Sequence, residues 1–281
     1  MARHILRECM LTVLFCMAAA LCARGAAAQV NTERFRPAKD GDGFSGLVDG
    51  RFALRAGNAA LLDTTATLSG RADRGDFMSW TLVQGRFAGT RPADAPPGRP
   101  LWSRDGWVAA NALVHQRVGW SLGPRWDLEA FGQAQRDEIL LLRRRLLLGA
   151  GPRWAALDGG AGSVHLGLAA MGETEVLFAE AVAPAEPVTV RAPRASASLT
   201  GALRLGAHTK ATTTAYLQPR LDQPTDFRVL VESGLQVNLT SAFALTAALT
   251  LRHDSAPPAL ADGGRLRPTD LQLDQGLNVR F

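Results

Sequence analysis

The stretch that decides the fold is Leu271–Phe281, LQLDQGLNVRF. Leu271, Leu273, Leu277, Val279 and Phe281 share one parity, with Gln275 as its polar member. Gln272, Asp274, Asn278 and Arg280 share the other, with Gly276 among them. Successive side chains of a strand point to opposite faces, so this segment has one apolar wall and one polar wall. A soluble edge strand can alternate in the same way. Here, however, the chain stops at once on Phe281, the pattern of the closing strand of an outer-membrane β-barrel. The insertion machinery reads that last aromatic, so Phe281 is the expected insertion signal and the barrel assembly machinery an expected partner.

The opposite end reads as a leader. Arg3 and Arg7 form a positive start, Met10 to Cys22 is an apolar core, and Ala26-Ala27-Ala28 is a small-residue cleavage site. Residues 1–28 are therefore expected to be a signal peptide, with a mature start at Gln29. Cys9, Cys16 and Cys22 all lie within it, so the mature chain is expected to carry no disulfide. The sequence holds 31 basic and 26 acidic residues, and losing Arg3, Arg7, Arg24 and Glu8 leaves a net charge of +3. Basic residues are not interleaved with aromatics in any patch, which argues against nucleic acid as a partner. Mean hydropathy is near zero, and no long apolar stretch follows the leader. Dyad-alternating strands are then the remaining way to cross a membrane.

Residues 29–42 are polar and irregular, expected as a periplasmic arm, and 43–281 as the barrel. Strands are expected near Phe44–Arg55, Leu61–Gly70, Phe77–Phe87, Val108–Val118, Trp126–Asp137 and Leu140–Trp154. Six more follow near Val164–Glu175, Arg194–His208, Ala211–Gln218, Phe227–Leu239, Phe243–Leu251 and Leu271–Phe281. The Phe77–Phe87 segment is apolar on both parities, so its register is open. An even count of twelve places both termini on the periplasmic side of an antiparallel up-and-down transmembrane β-barrel. The three long connections, Gly89 to Asp105, Leu177 to Pro193 and Asp254 to Pro268, all follow odd-numbered strands and so fall on the extracellular side. A soluble β domain has no reason to sort its loops in this way. Trp120, Trp126, Trp154, Phe243 and Phe281 fall at periplasmic strand ends, where an interfacial aromatic belt is expected.

Several stretches carry a family resemblance. NTERFRP (31–37) followed by DGFSG (42–46), WDLEAFGQAQRDE (126–138), LLRRRLLLGAGPRW (141–154), TDFRVLVE (225–232) and LTLRHDSAPP (249–258) occur in a characteristic order. As a set they resemble the salt-induced outer-membrane proteins grouped as domain of unknown function 481. The resemblance implies a bacterial outer-membrane barrel and a link to salt or osmotic stress. It supplies no catalytic residue and no ligand. Gly172 stands where the pattern favours an aromatic before Glu173.

The densest polar constellation faces inward. Asp127, Glu129, Gln133 and Asp137 alternate with the apolar wall of one strand, and Arg143, Arg145 and Arg153 with that of the next. Leu142 and Leu146 are assigned to the outer wall, while Arg144 breaks the alternation. Arg228, Glu232, Arg252, Asp274 and Arg280 extend the inward set, with Glu173 and Glu175. Such rows either line a pore and set its ion preference or neutralise one another and fill the lumen; the evenly mixed signs favour filling. The reading is a monomeric, non-enzymatic barrel, a narrow channel or an envelope-structural protein, whose outer wall meets membrane lipid and lipopolysaccharide. An alternative from another class is a lipid esterase using His253 and Ser255, whose spacing matches the His–Ser pair of certain lipid hydrolases. No metal-ligand spacing or phosphate loop stands out, and neither cofactor nor metal is expected.

Overall fold

The computed structural model describes residues 32, 33, 36, 41–55, 61–90, 107–240 and 243–279. The strands are β1 (Gly43–Arg55), β2 (Leu61–Arg74), β3 (Phe77–Thr90), β4 (Trp107–Ser121), β5 (Trp126–Asp137) and β6 (Leu142–Gly159). They continue as β7 (Gly162–Leu177), β8 (Thr189–Arg204), β9 (Thr209–Pro219), β10 (Phe227–Asn238), β11 (Phe243–Asp254) and β12 (Thr269–Val279). All pair in chain order, antiparallel, in one twelve-stranded up-and-down sheet. The expected leader, the 89–105 connection for the most part, and Arg280 and Phe281 lie outside the described residues.

Burial is inverted relative to a soluble domain. Leu148 is 73% exposed and Arg194 only 1%. Phe44, Val48, Phe52, Leu128, Leu168 and Leu273 are likewise exposed, while Arg117, Glu129, Arg145, Glu173 and Arg228 are buried. Such a wall is stable where the medium outside is hydrocarbon and the polar groups satisfy one another inside. The sheet curls around this interior. One cavity of about 220 Å³ is lined together by β2–β5, β11 and β12, and another of about 70 Å³ by β4–β9.

The even-numbered connections are tight, at 75–76, 122–125, 160–161 and 205–208, and define a short-turn end. Longer connections at 178–188, 220–226 and 255–268 define the opposite, long-loop end. There, Val182 and Leu260 form a bridge, Ala183 N donates to Ala259 O (2.9 Å) and Ala261 N to Ala181 O (3.1 Å). The β7–β8 and β11–β12 loops are thus tied together across the intervening β9–β10 hairpin. At the short-turn end the rings of Trp126 and Trp154 stack at 6.0 Å, and Phe77 meets Trp120 edge-on at 6.1 Å.

Three expectations are corrected. First, β8 runs from Thr189 to Arg204, not from Arg194 to His208, and crosses Pro193. Pro193 pairs with Gly172 of β7, but β9 pairs with β8 only from Ala197 onward, so the missing N–H falls beyond that ladder. Second, bulges at the start of β6 offset the alternation: Leu142 pairs with Leu177 and Arg144 with Val176, leaving Arg143 extra. Leu142 is therefore buried instead of facing outward, while both Arg143 and Arg144 are exposed. Third, two residues of the expected arm, Thr32 and Glu33, are buried, at 3% and 8% exposure, where solvated side chains were expected. The open register of β3 resolves with Met78, Trp80 and Leu82 inward, packed with Leu113 of β4.

Gly151 of β6 lets β7 approach closely, because a Cβ built there would sit 1.9 Å from the carbonyl oxygen of Leu168. Gly151→Ala is expected to lower the yield of folded barrel sharply. The check is the fraction that shows heat-modifiable gel migration after refolding, against the parent.

Candidate functional site

The site is the charged lumen, and it is organised in two tiers. The tier nearer the short-turn end is built by alternation on β4, β5 and β6, which points Arg117, Glu129 and Arg153 inward. Arg117 Nη1 donates to Glu129 Oε2 at 2.7 Å and to Glu33 Oε1 at 2.6 Å. Arg153 Nη1 donates to the other Glu33 oxygen at 2.9 Å. Arg36 Nη2 donates to Glu129 Oε1 at 2.8 Å. Thr32 and Tyr216 (β9) line the same small cavity beside this tier. The Arg117 guanidinium lies 5.6 Å from the ring centre of Trp80 and 5.3 Å from that of Phe131, which fixes its orientation. Burial would raise the Glu33 carboxyl, but Arg117, Arg36 and Arg153 together hold it well below the usual carboxylate range.

The second tier lies toward the long-loop end. Glu173 (β7) is its centre: Arg194 Nε donates to it at 3.0 Å, Arg228 Nη1 at 2.9 Å, and Arg145 Nε approaches to 3.4 Å. Glu175, two residues on and therefore on the same face, pairs with Arg145 and with Arg228 (2.8 Å). Arg228 Nε donates to Asp254 (2.9 Å) and Arg194 Nη2 to Asp226 (3.0 Å). These contacts join β6, β7, β8, β10 and β11 across the interior.

Between the tiers remains the 70 Å³ cavity, which has room for a few waters only. A vestibule of about 540 Å³ opens beyond the first tier, lined by Glu33, Arg36, Asp127 and Arg153, and the 220 Å³ cavity lies toward the long-loop end.

Of the residues singled out from sequence, Glu129, Arg145, Arg153 and Arg228 come together in the tiers. Gln133 lines the small cavity. Asp137 and Arg252 line the 220 Å³ cavity, where Asp137 also accepts from the amides of Ile139 and Leu140. Glu232 is half-buried on the inward parity of β10. Arg143 stays outside the tiers because of the bulge. Asp274 lies in β12, but its side chain is outside the described residues, as are Arg280 and Phe281. Sequence reasoning missed Glu33, Arg36, Arg194 and Asp226. The NTERFRP stretch was the available signal for the first two, and an arginine beside Pro193 gave none for the third.

His253 and Ser255 each have other partners. The Ser255 hydroxyl donates to Thr225 O (2.9 Å) and accepts from Phe227 N (2.8 Å). The His253 ring is buried and stacks on Phe227 at 5.1 Å.

Strand order, inverted burial and a lumen of paired charges define a β-barrel of the transmembrane type. Residues 103–281 match the model of the family described as "Protein of unknown function, DUF481", and the chain belongs to that family. None of the curated proteins matches the sequence. Among solved structures, a NanC porin is similar over 84% of this chain and 99% of its own, at 8% identity and a TM-score of 0.44. A bacterial polysaccharide outer membrane secretin is similar over 85% and 81%, at 12% identity and a TM-score of 0.41. These likenesses are distant, and the barrel assignment stands on the strand order and burial.

Arg228→Ala would leave Glu173, Glu175 and Asp254 short of a shared partner in a buried site. Breaking a buried pair costs about 3–5 kcal/mol, so the urea midpoint of the refolded barrel is expected to fall accordingly. The Glu33 carboxyl sets a pH dependence. Because its folded value is depressed, its contribution is complete above the ordinary value of 4.5 and is lost only as pH falls through the lowered value. Arg36 lies 5.8 Å from the Trp80 ring. The part of the emission that Trp80→Phe removes should therefore stay constant through pH 4.5 and change only in stronger acid.

Proposed function

We propose that this chain is a non-enzymatic outer-membrane β-barrel whose narrow lumen is held shut by its own ion pairs. The observation that carries this reading is the pair of guanidinium–carboxylate tiers, one on β4–β6 completed by Glu33 and one reaching from β6 to β11, which leave the 70 Å³ cavity between them. In this reading the short-turn end faces the periplasm and the loops at 178–188 and 255–268 face outward. The outer wall contacts lipid and lipopolysaccharide, and the barrel works as a monomer inserted through its terminal strand. A wall component that does not leak small ions suits an envelope under salt or osmotic stress, the role implied by the family resemblance.

Planar-bilayer recording tests the reading. The parent barrel, shown folded by heat-modifiable migration, is expected to give no steady open steps, whereas Arg145→Gln, which opens the second tier, should give discrete ones. Large steady conductance from the parent would overturn the sealed lumen. Lipid ester hydrolysis abolished by Ser255→Ala, with the fold intact, would overturn the non-enzymatic half.

A further inference from the structure

The arm residue Glu33 is bound as a ligand is bound. Its two carboxylate oxygens are taken by guanidiniums from two different strands, Arg117 at 2.6 Å and Arg153 at 2.9 Å. These partners lie 84 and 120 positions along the chain, so the receptor belongs to the wall and the carboxylate is delivered to it. The receptor is preorganised: Arg117 is fixed between the rings of Trp80 and Phe131. Two guanidiniums converging on one carboxylate make a strong, orientation-selective anion site.

Charge tells what the wall would prefer without the arm. Removing Glu33 and Arg36 together takes away one charge of each sign, so within the tier Arg117 and Arg153 still face Glu129 but lose the carboxylate they share. Glu129 is already satisfied by Arg117 at 2.7 Å, while Arg153 lies 3.8 Å from it. The excess is positive and is centred where the Glu33 carboxylate now sits. The 540 Å³ vestibule gives direct approach from the short-turn end; its wall carries Asp73, Asp76, Asp127 and Asp158 beside Arg71 and Arg125, so the positive charge is confined to the Arg117–Arg153 constriction.

We infer that Arg117 and Arg153 form a binding constriction for small carboxylate-bearing solutes, and that Glu33 occupies it as an internal surrogate that keeps the lumen shut. A solute carboxylate competes with Glu33 for the two guanidiniums, and displacement of Glu33 opens a constriction whose own preference is for anions. This inference rests on the sealed-barrel reading for its gating half; the carboxylate site itself is independent of it.

The test is bilayer recording of the full barrel as parent, Glu33→Gln and Glu33→Gln with Arg153→Gln, with succinate as the probe. Glu33→Gln is expected to raise conductance by about tenfold or more and to shift the reversal potential in a KCl gradient toward the anion. Succinate added at the short-turn side should then block it saturably. Adding Arg153→Gln should remove that block and reduce the anion preference. An open Glu33→Gln channel that shows no anion preference, or that succinate does not block, would overturn the carboxylate site and leave the sealed barrel standing. A folded but silent Glu33→Gln would overturn the arm as the seal. A parent that conducts freely would defeat the sealed reading, and succinate block of that parent, lost with Arg153→Gln, would still support the site. Should Glu33→Gln not fold, Arg36→Gln loosens the same arm with the wall intact, and the same outcomes apply.

Discussion

The structure depends on the pairing of carboxylates with guanidiniums in a space that water scarcely reaches. Glu173 shows the constraint most clearly, since it serves Arg145, Arg194 and Arg228 from three different strands. A sheet with hydrocarbon outside must turn its polar side chains inward, and in a narrow barrel those side chains meet. Isolated, each buried charge would be costly; shared among several partners with good geometry, the set becomes mutually supporting. The same contacts that make the barrel possible therefore also fill it. Stability and closure are one property here, because the residues that would line a pore are the ones that brace the wall.

The first tier departs from this symmetry. Its wall sets Arg117 and Arg153 against Glu129, and Glu33 from outside the barrel strands gives the two guanidiniums a shared carboxylate. Arg36 then compensates Glu129, so the arm brings charges of both signs to matching positions. The second tier is built from the wall itself and the adjacent loop residue Asp226, with no contribution from the arm. One tier is thus intrinsic to the wall and the other is completed by Glu33 and Arg36 from outside the strands.

The strands were largely legible because period-two alternation is a local property: side chains at i and i+2 share a wall whatever the rest of the chain does. Trp126–Asp137 shows this best, since its ends and its inward row follow from its own residues. Legibility failed where the pattern was set by something other than alternation. At Arg143-Arg144-Arg145 one extra residue shifts parity, and only the last of the three reaches the interior. The run itself was a signal, since three consecutive charges cannot all face one side of a regular strand. In β3 both faces are apolar because the inner wall uses Met78, Trp80 and Leu82 to pack the lumen beside the first tier.

The arm was illegible for a deeper reason. Its sequence is polar and irregular, which describes a solvated linker as well as it describes a plug. What distinguishes the two is whether complementary charges wait at the right height inside the barrel, and that depends on strand register around the lumen. Arg117 and Arg153 reach the same carboxylate only because β4 pairs Gly119 with Glu129 of β5, and β5 pairs Glu129 with Gly151 of β6. A shift of two residues in either ladder would preserve every inward parity and still move one guanidinium about 7 Å along its strand, away from the other. Parity is local, whereas height is collective. Inward-facing candidates can therefore be found from alternation alone, but their grouping into tiers, and the place left in one tier for a carboxylate from elsewhere, requires the assembled register.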